Sequence, residues 1–193
     1  MDAKLIMELR SRTGAGVLDA KSALEETEGN LDAAAELLRK KGQIKAAKKM
    51  DRETREGMVG SYIHANGKVG ALVEVACETD FVARSEEFQQ LVHDLALHVV
   101  ASSPLYLKPE DVPADLIAKE QEIAAAEFAG SGKPPAVIEK IVDGKIAKYY
   151  ADVCLLPQVF VKDDAMTVAQ RIEQAVAKLG ENVQVRRFCR FAL

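Results

Sequence analysis

The sequence predicts an α+β protein: a small helical bundle first, then a core of antiparallel sheet packed with helices. Three observations carry this. Apolar residues follow a helical period over the first 42 positions. The period changes to two at Gly57, around an Asn66-Gly67 turn. Helical spacing then returns from Ser85 almost to the end, where one last strand closes the chain.

The first stretch divides into three short helices. Leu5, Ile6 and Leu9 share a face, and the pattern stops at Thr13-Gly14-Ala15-Gly16. Val17, Ala20 and Leu24 mark a second helix that ends near Gly29. Asn30 suits the N-cap of a third, whose Ala34, Leu37 and Leu38 stripe is expected to stop at Gly42. Residues 43–56 carry Lys45, Lys48, Lys49, Arg52 and Arg55 among Asp51, Glu53 and Glu56. They read as a basic, solvated linker helix between a 1–42 bundle and a 57–193 core.

In the core, Met58 to His64 reads as a strand. Asn-Gly favours a tight hairpin because both central residues take positive φ. Val69, Ala71, Val73, Val75 and Cys77 alternate onto one face of the next strand, with Glu74 and Glu78 on the other. Ser85 can cap a helix whose buried stripe is Phe88, Leu91, Val92, Leu95 and Val99. A helix aligning Leu116, Ile123 and Phe128 follows, broken at Gly130-Ser131-Gly132-Lys133-Pro134-Pro135. Another helix holds Ile138, Ile141 and Tyr149; Leu155 to Asp164 reads as irregular. Thr167 caps a helix that stops at Gly180, and Asn182 to Phe191 reads as a strand.

Composition narrows the function. The net charge of -4 weighs against a dedicated nucleic-acid binder. Cys77, Cys154 and Cys189 form no CxxC pair and no metal spacing, which predicts reduced thiols in a cytoplasmic protein. Met1-Asp2-Ala3-Lys4 has no secretory pattern, and no apolar run approaches the ~20 residues of a membrane helix. His93 and His98 stand five apart, the wrong spacing for a shared metal face. Cys77 lies in the apolar register of its strand, as a core residue would, although a Cys77–His nucleophile is conceivable. Gly130 to Lys133 looks superficially like a phosphate loop but follows a helix, not a strand. No constellation supports catalysis, so no enzyme activity, cofactor or metal is expected.

Phe81 lies between a strand and a helix, outside either period. One reading tucks it into the core in a first helical turn capped by Asp80. The other presents it outward.

The segment Cys77-Glu78-Thr79-Asp80-Phe81-Val82-Ala83-Arg84 resembles the signature of bacterial translation elongation factor Ts. Arg12-Thr13-Gly14-Ala15-Gly16, Lys45 to Lys49, Phe160 to Asp163, and Gly180-Glu181-Asn182 through Phe188 resemble other parts of that family, in order. The resemblance implies a guanine-nucleotide exchange factor whose partner is elongation factor Tu, GDP-bound and nucleotide-free. It implies a ubiquitin-associated-like bundle docking through Arg12, Gly14, Gly16, Val17 and Leu18. Thr79, Asp80, Phe81 and Val82 would then disturb the partner's magnesium site, Phe81 as a wedge oriented by Asp80. Val159 departs from the family's usual Gln-Pro-Phe stretch, which touches only a local turn.

Many members carry two copies of the core and a long coiled-coil insertion. Here one core carries features of both copies, which predicts a homodimer. On that reading His64, Leu179 and Gly180 of the second subunit make a secondary contact, and Cys189 could meet its twin. A plain adaptor, or an RNA-associated protein using the basic 39–55 stretch, are the alternatives; neither membrane nor direct nucleic-acid contact is expected.

Overall fold

The computed structural model describes residues 2–128 and 131–193, without the side chain of Lys45. Gly130, which opens the expected interhelical break, and the Lys45 side chain of the basic stretch lie outside the described residues.

Helices α1 (Ala3–Thr13), α2 (Val17–Glu26) and α3 (Leu31–Ala47) form the expected bundle. Asp2 caps α1 by accepting from the Lys4 N–H at 2.9 Å. Asn30 caps α3, accepting from the N–H groups of Asp32 and Ala33, each at 3.1 Å. The bundle core is Leu9, Ala20, Ala23, Leu24 and Ala34. Alanines let the helices approach closely but bury little apolar area each, so packing here is thin.

The basic stretch folds differently from the expectation. Helix α3 runs through Gly42 to Ala47, and turns and extended chain follow up to Glu56, so 43–56 is not a separate helix. Gly42 is not a stop. A methyl built on it would lie 3.6 Å from Ala177 Cβ, so the missing side chain serves a close helix approach.

Strands β1 (Glu56–Ile63), β2 (Val69–Cys77) and β5 (Val183–Ala192) make one sheet in the order β1-β2-β5. The sheet is antiparallel. His64 N–H donates to Val69 O at 2.9 Å across the hairpin, and Leu193 N–H donates to Lys68 O at 2.9 Å beside it. Ala71, Val73, Val75 and Cys77 are buried, as their alternation predicts. After a single turn, α4 (Asp80–Ala83), comes α5 (Glu86–Ser102). Its Phe88, Leu91, Val92, Leu95 and Val99 are fully buried. Gly60 permits the contact of β1 with this helix, since a Cβ there would stand 2.4 Å from Val92 Cγ1.

Helices α6 (Ala114–Ala126) and α7 (Pro135–Val153) pack together. Phe128 falls just beyond α6, and Lys133 sits 4.6 Å over its ring. The stretch read as irregular contains a small hairpin, β3 (Val159–Phe160) with β4 (Asp163–Thr167). It is too short for a sequence period to register. Helix α8 (Val168–Leu179) then leads through Gly180, at φ 81°, into β5.

Two compact units result. One comprises residues 1–60, 74–93 and 170–186; the other comprises 61–73, 94–169 and 187–193. In the second, His98 is fully buried and stacks on Phe160, with ring centroids 5.9 Å apart. His98 Nδ1 accepts from the Val161 N–H at 3.1 Å, so Nε2 carries the proton and donates to Gln158 Oε1 at 3.0 Å. Burial lowers its pKa, and the imidazole is neutral.

Candidate functional site

The Phe81 loop begins where β2 ends. Cys77 Sγ–H donates to Thr79 O at 3.2 Å. Burial, chiefly, pushes this thiol up to about 11, so it stays protonated near neutral pH and is no nucleophile. Thr79, not Asp80, is the N-cap of α4, its hydroxyl accepting from Val82 N–H at 3.4 Å. Asp80 pairs with Arg84 at 3.0 Å, one turn on. Ser85 ends the loop: its hydroxyl donates to Val82 O at 2.7 Å and accepts from Phe88 N–H at 3.3 Å.

These bonds decide where Phe81 points. The Thr79 and Ser85 hydroxyls hold the N–H and the carbonyl of Val82, which fixes the backbone of the single turn, and the Val82 side chain is half-buried. Successive side chains of a helix diverge by about 100°. Phe81 therefore faces out, with 83% of its surface exposed. Of the two readings the sequence left open, the outward one forms.

Two anchors of this loop carry no expected role from the sequence, although both lie in the Gly180-Glu181-Asn182 stretch that resembles the family. Glu181 accepts from Thr79 Oγ–H at 2.7 Å and from Thr79 N–H at 3.0 Å. Asn182, 2% exposed, donates its N–H to Glu78 at 2.6 Å and its side-chain amide to the carbonyls of Met50 and Arg52, at 3.1 and 2.8 Å. No local pattern announces these partners, which lie about a hundred residues away in the chain.

The 12–18 loop carries the other candidate residues of this unit. Arg12 pairs with Asp32 at 2.7 Å. Gly14 ends α1 at φ 68°, and Gly16 is the N-cap of α2. Val17 and Leu18 are exposed, Leu18 to 82%. Leu179 and Gly180 close α8 beside Glu181, within the same unit. His64 belongs to the other unit. There its Nδ1 lies 3.3 Å from the Tyr62 hydroxyl, and both side chains line a groove of about 300 Å³ with Val69, Leu97, Val100 and Ala101.

Four cations of the 39–55 stretch stand in ion pairs. Lys40 pairs with Glu36, Lys41 with Glu26, Arg52 with Glu78 and Arg55 with Glu53. Each paired cation is less available to a phosphate, which weakens the RNA reading. Among the described residues, no group of three His, Cys, Asp or Glu side chains could hold a metal ion, and no helix is long and apolar enough to cross a membrane.

The family model for elongation factor TS matches residues 4–193. Elongation factor Ts of Fervidobacterium nodosum is 51% identical over 193 residues, covering 100% of this chain and 98% of that protein. Elongation factor Ts of Thermosipho melanesiensis is 52% identical with the same coverage, 100% and 98%. That of Geobacter sulfurreducens is 53% identical over 191 residues, covering 99% of this chain and 88% of the relative. With identity above half along essentially the whole chain, it belongs to the elongation factor Ts family, the nucleotide exchange factors of translation elongation.

Proposed function

We propose that this chain binds elongation factor Tu, both GDP-bound and nucleotide-free, and expels GDP by disturbing the magnesium and phosphate site of that partner. The observation that carries the proposal is the Phe81 ring, 83% exposed on a loop pinned at both ends. In the family's mechanism residues 1–42 dock, residues 43–56 connect, and the 57–193 core presents Thr79 to Val82. The exposed Val17 and Leu18 suit the docking role.

The magnitudes are reasonable. Magnesium bridges and neutralises nucleotide phosphates, so its loss removes a main hold on GDP. Fully burying a Phe side chain is worth roughly 1.5–3 kcal/mol. A thousandfold faster release needs about 4 kcal/mol off the barrier. One ring is therefore insufficient, and docking by the bundle must hold it in place. Coupling is reciprocal: a factor that weakens GDP binding is itself weakened by GDP.

The second element is a homodimer. Ile63, Leu72 and Phe191, on three strands of one sheet, are exposed to 69%, 46% and 72%, as an apolar surface awaiting a second copy would be. Such a pair would place His64 and Leu179–Gly180 of the partner subunit at a secondary contact.

The test is release of labelled GDP from elongation factor Tu with and without this chain. Unaccelerated release, despite binding, favours the adaptor reading. Light scattering after size exclusion tests the pair; a clean monomer at micromolar concentration removes it.

A further inference from the structure

The last turn of α8 and the turn after it touch both the N-terminal bundle and the start of the Phe81 loop. Ala177 receives Gly42 of α3, and a methyl built on Gly14 would lie 3.8 Å from Lys178 Cδ. Lys178 also pairs with Glu87 at 2.6 Å, just past the Phe81 loop. Glu181 holds Thr79 by two hydrogen bonds, and Asn182 joins Glu78 to the carbonyls of Met50 and Arg52. Residues 177–182 therefore grip the bundle, the chain leaving it, the start of the wedge loop and the first turn of the helix that follows the loop. All these contacts lie within one compact unit.

We infer that the Ala177–Asn182 segment is a bracket fixing the Phe81 loop relative to the N-terminal bundle, with Glu181 as the positioning residue for Phe81. This rests on the exchange reading and deepens it. A carboxylate taking two donors from one residue fixes orientation as well as distance. Thr79 is exposed, yet its N–H and Oγ–H are both committed to Glu181. Thr79 thus aims the loop. Without the bracket a docked bundle would leave Phe81 free to sample several positions, and binding would no longer be converted into insertion.

The experiment measures GDP release from elongation factor Tu against concentration of the full chain, for Glu181→Ala and Glu181→Gln, each with and without Phe81→Ala. Glu181→Ala is expected to lower the maximal rate about tenfold, equivalent to about 1.4 kcal/mol. The half-saturating concentration should change by less than about twofold. Glu181→Gln should recover most of the rate, because its amide oxygen accepts one Thr79 donor and its N–H can donate to the Thr79 hydroxyl. In the Phe81→Ala background both substitutions should be silent. A maximal rate equal to the unsubstituted chain's overturns the inference. So does an equal loss in both backgrounds, which would mean Glu181 acts on folding or docking, and so does a Gln variant as slow as Ala. Should Glu181→Ala fail to fold by circular dichroism, Glu181→Asp decides: one methylene shorter, it should be folded and about threefold slow. A folded Asp variant at full rate overturns the inference equally. If the unsubstituted chain does not speed release, the exchange reading itself has failed.

Discussion

Replacing Phe81 with alanine should separate function from folding. The ring is 83% exposed, so folding buries about a sixth of it. Scaling the roughly 1.5–3 kcal/mol of a fully buried Phe side chain, the substitution costs the fold only about 0.3–0.5 kcal/mol. In a chain of this size that lowers the melting midpoint by about 1–2 °C. If the exposed part becomes buried only as GDP leaves, the loss on the barrier is about 1.2–2.5 kcal/mol. Release at saturating chain then slows by roughly 8- to 70-fold, with little change in half-saturation. Stopped-flow fluorescence of labelled GDP on elongation factor Tu reads both quantities, and circular dichroism reads the midpoint. A variant that melts as expected but drives release at full rate would refute the wedge. A fall of ten degrees would instead show that the ring packs within its own subunit.

Leu18→Ser should leave the melting midpoint unchanged, because Leu18 is 82% exposed, and weaken binding to elongation factor Tu by about 10- to 60-fold in a titration. Gly57→Ala places a Cβ 2.2 Å from Val75 O at φ 149° and should cost about 1–3 kcal/mol in denaturant unfolding. Gly144→Ala, in α7 with open space around it, should add about 0.5–1 kcal/mol in the same assay. Stability should fall as pH drops from about 7.5 through the unfolded histidine value near 6.5. The folded pKa of His98 is lowered, so the unfolded chain takes the proton first, and the contribution is complete only above the unfolded value. His98→Gln should flatten that slope; an unchanged slope would assign it to other groups.

Much of the fold is legible along the chain because its signals are local. Asn30 at the start of α3, the turn at Asn66-Gly67 between β1 and β2, and the Phe88 to Val99 stripe each act within a few residues, although of the two turn residues only Gly67 takes the expected positive φ, at 66°. Gly42 misled because a glycine in a helical pattern serves equally as a stop or as room for a neighbour, and that neighbour, Ala177, is remote in sequence. The β3–β4 hairpin was missed because its strands are too short to display alternation.

By itself the sequence determined the α+β class, the three-helix start, the family and the location of Phe81 at a junction, all from patterns contiguous in the chain. Only the tertiary structure decided that the Phe81 ring faces out and that Glu181 and Asn182 hold its loop. The physical reason is the same in both cases. A side chain's direction at a single turn depends on how the folded chain holds that turn: local bonds from Thr79 and Ser85 shape it, and the ties to Glu181 and Asn182 reach across about a hundred residues that no local periodicity connects.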